Sequence, residues 1–307
     1  MSWNVVTPLP DPRLDPERIG EWALPYAQAL VARTDATAVL ISVIELPVDV
    51  GVRTPYVDVA AEREQRRQLR AARRAYLEQV GASFAGTPVR HAVRFGHVVV
   101  EVLGLVATLD RPILVLASHE QRGMGQLFVG RVAPLLIRDA PCPVLTVRVP
   151  APHLEGTPPL GRILVPLDQS RLAEHAVDTA LDVLGPDDVQ IHLLHVISRI
   201  GTPTALEQAR SSADRYLRDQ SARLAAYDRR VTTEVGAGDP TAEILRTAVA
   251  WGADLVAITP HGTGGFKRLI FGSVAERLLR QAQLPLLIAH PRSSDDINLA
   301  GAGAAPK

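Results

Sequence analysis

The chain contains one cysteine, Cys142, in 307 residues. A single thiol makes no intrachain disulfide, so a disulfide-stapled secreted scaffold is excluded, and a reducing compartment, the cytoplasm, is the expected setting. Net charge is missing too: 33 basic residues face 33 acidic ones. That balance removes the general attraction to nucleic acid or an anionic membrane, and neither is expected as a partner. No run of about 18 apolar residues occurs, which argues against a membrane-spanning helix. The opening residues, MSWNVVTPLPDP, hold no basic leader and no apolar signal core. The patterns GxxxxGK(S/T), HExxH, GxSxG and CxxC are absent. His192 and His195 are three apart on an expected strand, so they point to opposite faces and make no metal pair.

What is present is enough apolar sequence for two cores. Hydrophobic residues make up 47% of the chain and charged ones 21%, at a length that suits two ordinary domains. Short apolar runs alternate with helical periodicity. In the first half, strands are expected at Asn4–Leu9, Ala38–Ile44, Val89–Arg94, Pro112–Ala117 and Val144–Val149. Between them, Ile19, Trp22, Ala23, Tyr26, Ala27 and Leu30 recur at helical spacing, with a cap near Asp15 and Pro16 early in the helix. Val98–Ala107 and Gly130–Asp139 also read as helices. Such alternation implies parallel strands joined by crossover helices. The arginine-rich stretch Ala60–Gln79 has Glu62, Glu64 and Glu78 among its arginines. It reads as the solvated face of an amphipathic helix, with Leu69, Ala72, Tyr76 and Val80 inward, rather than as a nucleic-acid face.

Pro150–Pro159 carries four prolines in ten residues and marks the expected boundary. Beyond it the first half is repeated. Arg162–Leu167 matches Asn4–Leu9, the Val189–Ile197 run matches Thr37–Ile44 in type, and Ala282–Ile288 matches Ala140–Thr146. The offset falls from 158 at Pro8 and Pro166 to 142 at Gly130 and Gly272, so the first copy carries about 16 more residues, placed in the loop around Pro47–Tyr56. The expected organisation is a domain over 1–150, a linker over 151–160, a second domain over 161–292 and a disordered tail over 293–307.

The stretch Thr259–Ser273, TPHGTGGFKRLIFGS, joins an expected strand at Leu255–Ile258 to a helix beginning near Val274. Strand, glycine-rich loop and helix N-terminus together are a common phosphate cradle. Glycine admits close backbone approach, and a helix start offers unpaired N–H groups with partial positive charge. By itself such a loop is also a plain surface turn, and Gly272-Ser273 a plain cap.

With these residues in view the chain resembles a tandem member of the universal stress protein family. Its ATP-binding members carry G-x2-G-x9-G-(S/T), which falls here on Thr259, Gly262, Gly272 and Ser273, with Thr259 in place of the first glycine. The resemblance also matches Asp168 after the first strand of the second half and the pair His195-Val196 near the end of its second strand. It implies two tandem Rossmann-like α/β domains, each a five-stranded, mostly parallel sheet with helices on both faces, paired through Val144–Val149 and Leu286–Ala289.

The resemblance further implies a site for ATP or another adenine nucleotide, with or without Mg2+, formed by Pro166, Leu167, Asp168, Val196, Thr259, His261, Gly262, Gly272, Ser273 and Val274. Gly262 and the amides of Gly272, Ser273 and Val274 would meet the phosphates, Asp168 a ribose hydroxyl or adenine amine, and the backbone near Val196 the adenine edge. The first half departs from the pattern, with Ala117, Glu120, Gly130 and Arg131 at its motif positions and Pro10 where Asp168 stands. One nucleotide site per chain, in the second half, is therefore expected. No general base is poised for attack by water, which favours a nucleotide-responsive regulator with a protein partner over an enzyme. A slow ATPase, a bare interaction module, and a homodimer of the tandem chain remain open readings.

Overall fold

The structure is a computed structural model, and it describes residues 2–15, 17–45, 59–84, 86–119, 129–149, 156–185, 188–198, 201–225, 230–260 and 271–290. The first half contributes strands β1 (Asn4–Pro8), β2 (Thr37–Ile44), β3 (Val89–Phe95), β4 (Pro112–His119) and β5 (Val144–Val149). Its helices are α1 (Leu24–Thr34), α2 (Val59–Gly81), α3 (Val98–Val106) and α4 (Val129–Asp139). The second half contributes β6 (Arg162–Pro166), β7 (Gln190–Ile197), β8 (Arg230–Ala237), β9 (Leu255–Ile258) and β10 (Leu286–Ile288). Its helices are α5 (Arg171–Leu184), α6 (Pro203–Ala225), α7 (Pro240–Trp251) and α8 (Ser273–Gln281).

The strands form one ten-stranded sheet in the order β3-β2-β1-β4-β5-β10-β9-β6-β7-β8. Within each half every neighbouring pair is parallel. Parallel strands must be covered on both faces, which is why their central residues are apolar without a break. All four residues of β9 are buried, as are Ile163, Leu164 and Val165 in β6. Helices α1, α2, α5 and α6 cover one face through Leu30, Leu77, Val177 and Leu217. Helices α3, α4, α7 and α8 cover the other through Val102, Leu136, Ile244 and Leu278.

The halves join through the antiparallel pair β5–β10, centred on Leu145 opposite Leu287. This covers the edge strand each five-stranded sheet would otherwise present. Helix α1 packs against α5 beside it. Trp3 Nε1 donates to the Asp182 carbonyl at 3.1 Å, and Arg33 Nε to the Leu184 carbonyl at 2.5 Å. Arg111 stacks 4.5 Å from the Trp3 ring and pairs with the Asp182 carboxylate.

Two sequence expectations need correction. Ala72 is exposed, and the residue that turns inward from α2 is Arg73, together with Leu77. The outer face of α2 is laced by Arg66–Glu62, Arg67–Glu64 and Arg74–Glu78 pairs, as a solvated helix face should be. The extra length of the first half is also shared out differently. Ala38 and Ile191 hold the same register position beside Val5 and Ile163, an offset of 153 where the first strands have 158. Five extra residues therefore lie between β1 and β2, where Ile19–Ala23 forms a short 3-10 turn before α1. Asp15 caps that turn, accepting from the Ile19 and Gly20 amides at 2.9 Å. Residues 46–58, expected to hold all of the insertion, lie outside the described residues, as does Pro16.

Candidate functional site

In the second half, β6 and β9 are neighbours, paired Ile163 to Leu255 and Leu164 to Val256. The chain leaves β6 for α5 on one face of the sheet and leads from β9 to α8 on the other. Diverging connections at adjacent strand ends leave a crevice, and such a switch point is where open α/β sheets place ligands. This fold brings Pro166, Leu167 and Asp168 beside Thr259, with Val196 on the far side at the end of β7.

The β6–α5 turn is tightly held. Pro166 ends the strand and is half-buried, while Leu167 is 2% exposed and packs into the core. Its amide donates to the Leu194 carbonyl at 2.8 Å, so Leu167 can offer a ligand only its carbonyl oxygen. Asp168 is half-buried, and its Oδ1 accepts from the Ser170 amide at 3.1 Å and the Ser170 hydroxyl at 2.6 Å. Ser170 Oγ in turn accepts from the Ala173 amide at 3.0 Å, capping α5. Between them Gln169 takes a left-handed backbone, φ 69°, a conformation that costs a non-glycine residue about 1 kcal/mol. Ser170 and Gln169 were not singled out in the sequence, although an Asp-x-Ser before a helix is an Asx-turn and cap signal.

Thr259 is 8% exposed and buried, immediately after β9. The Ala289 amide donates to the Ile258 carbonyl at 2.7 Å, holding the strand end in place. His261 and Gly262 lie outside the described residues, as do Lys267 and Arg268. The described chain resumes at Phe271, and the Gly272 amide donates back to the Pro260 carbonyl at 2.8 Å, closing the base of the loop. Gly272 is the N-cap of α8 with φ −61° and ψ 148°, an extended conformation open to any residue. Its glycine is therefore not demanded by backbone geometry. Helices α5 and α7 are each capped by a side chain, Ser170 and Asp239; the N-cap of α8 is a glycine, and among the described residues α8, like α1 and α3, has no side-chain cap. The amides of exposed Ser273 and half-buried Val274 open the helix, and Glu276 lies in its first turn.

The same place in the first half is built differently. Pro10 stands where Asp168 does, and Gly20 packs so closely on it that a Cβ there would lie 2.3 Å from the Pro10 ring. The next residue, Asp11, is 8% exposed and forms a buried ion pair with Arg73. It also accepts from the Arg13 amide at 2.9 Å and from the Arg13 guanidinium at 3.0 Å. Burial pushes the Asp11 carboxyl up, but its hydrogen bonds to Arg13 and Arg73 outweigh this and hold it at about 2. Arg73 lies one turn before Tyr76, whose hydroxyl binds Glu21; its counterpart Tyr216 binds Glu174, each at 2.9 Å. The residue one turn before Tyr216 is Ala213, fully buried. Side chains of Gly130 and Arg131, like Glu120 as a whole, lie outside what is described, and Ala117 is half-buried on β4.

His192 and His195 fall on opposite faces. His192 stacks on Trp251 at 5.1 Å, with Nδ1 2.7 Å from the Thr232 hydroxyl and Nε2 3.3 Å from Glu234. His195 Nδ1 instead lies 2.7 Å from the Leu167 carbonyl. Among the described residues no group of three His, Cys, Asp or Glu side chains could hold a metal ion, and no helix is long and apolar enough to cross a membrane.

Comparison with known proteins gives two matches to the model of the universal stress protein family, over residues 15–148 and 159–290. A universal stress protein of Mycolicibacterium smegmatis is 28% identical over 198 residues, covering 61% of this chain and 64% of that protein. One from Mycobacterium tuberculosis is 24% identical over 189 residues, covering 59% of this chain and 62% of the relative. The chain thus spans less than two thirds of the length of these mycobacterial relatives. The crystal structure of a universal stress protein from Archaeoglobus fulgidus superposes with a TM-score of 0.66 at 19% identity, covering 95% of this chain and 97% of that one. At that identity the likeness is one of fold.

Proposed function

The chain belongs to the universal stress protein family, with two tandem domains, and from that premise we propose that its second domain binds one adenine nucleotide, ATP in first place, and acts as a nucleotide-responsive regulator. The observation that carries this reading is the pairing of two unlike features across one crevice. On one side a carboxylate, Asp168, is held in a fixed turn; on the other a helix, α8, begins without a side-chain cap. A nucleotide has a polar nucleoside end and an anionic phosphate end, and the two sides suit one each. Asp168 accepts from a ribose hydroxyl or the adenine amine. The Ser273 and Val274 amides and the Ser273 hydroxyl donate to phosphate oxygens, while the Gly272 amide, already given to the Pro260 carbonyl, fixes the helix start; Gly262 and His261 complete the loop from the sequence side. Backbone groups at Pro166, Leu167 and Val196 frame the base, and Thr259 is where a buried side chain replaces a glycine. Mg2+ accompanies the nucleotide only through its phosphates.

The first domain is assigned no nucleotide. Pro10 removes the carboxylate at that position, and Asp11 beside it is already committed to Arg73. The loaded second domain then signals to a protein partner rather than turning over. Isothermal titration of the whole chain with ATP should give one site, and mass spectrometry of the heat-denatured protein should detect co-purified nucleotide. Gly262→Glu should abolish the titration. Two sites per chain, or native-like binding by Gly262→Glu, would refute the assignment.

A further inference from the structure

Asp168 is only as well placed as the peptide before it, and that peptide is gripped by β7. The Leu167 amide donates to the Leu194 carbonyl at 2.8 Å, and the Leu167 carbonyl lies 2.7 Å from His195 Nδ1. A carbonyl oxygen only accepts, so Nδ1 must carry the proton, and neutral His195 is the Nδ1–H tautomer. Both polar groups of Leu167 are thereby tied to consecutive residues of the neighbouring strand. Fixing the Leu167 carbonyl fixes the plane of the Leu167–Asp168 peptide, and with it the direction in which the Asp168 side chain leaves the backbone. Pro166 cannot supply this restraint, because it has no N–H to give to the ladder.

From this geometry we infer that His195 is a positioning residue for the nucleoside end of the site, acting through Asp168; the inference rests on the nucleotide reading above. The first domain supplies an internal contrast. Ser42 holds the register position of His195, since Ala38 and Ile191 are equivalent and each lies four residues earlier on its strand. Ser42 is fully buried, and its hydroxyl has no hydrogen-bond partner among the described residues. The turn it should restrain carries Pro10 instead of an aspartate. Where the carboxylate is missing, the side chain that would aim it is missing too.

The test is a double-mutant cycle read by ATP titration of the full chain. His195→Leu should weaken ATP about 5- to 10-fold, the worth of one hydrogen bond. His195→Asn, whose amide nitrogen can donate from nearly the place of Nδ1, should return to within about threefold of native affinity. In an Asp168→Ala background, His195→Leu should have no further effect, because its action passes through the missing carboxylate. Long-range proton–nitrogen correlation should show the Nδ1–H tautomer in the nucleotide-free protein. Equal ATP affinity for native and His195→Leu, or an additive loss in the Asp168→Ala background, overturns this inference and leaves the nucleotide site standing. Failure of the native chain to bind ATP overturns the nucleotide site itself.

Discussion

Replacing Arg73 by methionine isolates the device that distinguishes the first domain. Its side chain is 7% exposed and its partner Asp11 is 8% exposed, so the pair is dry. Stranding one member of a dry pair typically costs about 3 kcal/mol; here Arg13 still holds Asp11 when Arg73 is removed, so the cost is smaller. The acid side can be worked separately. The Asp11 carboxyl sits at about 2 against an ordinary value of 3.8. A shift of that size corresponds to about 2 kcal/mol of stability. A carboxyl whose folded value is depressed contributes fully above its unfolded value and loses that contribution as pH falls through the folded one. The window is therefore from about pH 4 down to about pH 2. Arg73→Met should lower the urea-unfolding free energy by about 2 kcal/mol at pH 7, less than for a fully stranded carboxylate because Arg13 remains, and the gap from native should narrow across that window. Asp11→Leu combined with Arg73→Met should recover to within about 1 kcal/mol of native, since an apolar pair replaces an ionic one. ATP stoichiometry should stay unchanged in both. An Arg73→Met protein within about 0.5 kcal/mol of native at pH 7, or a gap that does not change on acidification, would refute the reasoning.

Other perturbations test other parts of the structure. Trp3→Ala removes a ring that is 4% exposed and donates across the two halves, and should cost about 3 kcal/mol in urea unfolding. Ser170→Ala removes the α5 cap and one hydrogen bond to Asp168, and should cost about 1 kcal/mol while weakening ATP binding; unchanged titration would separate the turn from the site. Burial pushes the His192 imidazole down from 6.5, with Glu234 pulling the other way. Its folded value is depressed, so stability is full above 6.5 and falls as pH drops below it. His192→Gln should flatten the stability profile between pH 7.5 and 5.5, measured by urea unfolding.

The elements were legible where burial follows local period. Continuous apolar runs mark β4 and β9, and the proline-rich stretch after Val149 separates two copies of one pattern. What could not be read locally was anything set by a distant partner. Helical spacing on α2 allows either Ala72 or Arg73 to face inward, and alanine is indifferent to burial. The deciding group is Asp11, far away in sequence on another connection. Aligning the halves on Tyr76 and Tyr216 would have set Arg73 opposite Ala213 and exposed the anomaly. Likewise His195 read as half of a family pair, but its bond to the Leu167 carbonyl spans 28 residues and needs the parallel β6–β7 register to exist.

Because the fold is present twice, it separates what topology provides from what side chains provide. Both halves have the same strand order, so both have a switch point, at β1 and β4 in one and at β6 and β9 in the other. The crevice itself therefore cannot be what makes the two halves differ in the proposed binding. The differences are local: Pro10 for Asp168, Ser42 for His195, and Arg73 for Ala213. They lie on three different elements, yet all three bear on one turn, the connection leaving the first strand of each domain. In the first half that turn is tied to α2 by the buried Asp11–Arg73 pair. In the second half the carboxylate is held from two sides, by Ser170 and through Leu167 by His195, and kept half-exposed at the crevice. A change confined to Asp168 and Pro10 would exchange the carboxylate without its support. It follows that Pro10→Asp alone should not create a second ATP site, and a titration showing two sites in that variant would mean that the crevice, not the turn, decides.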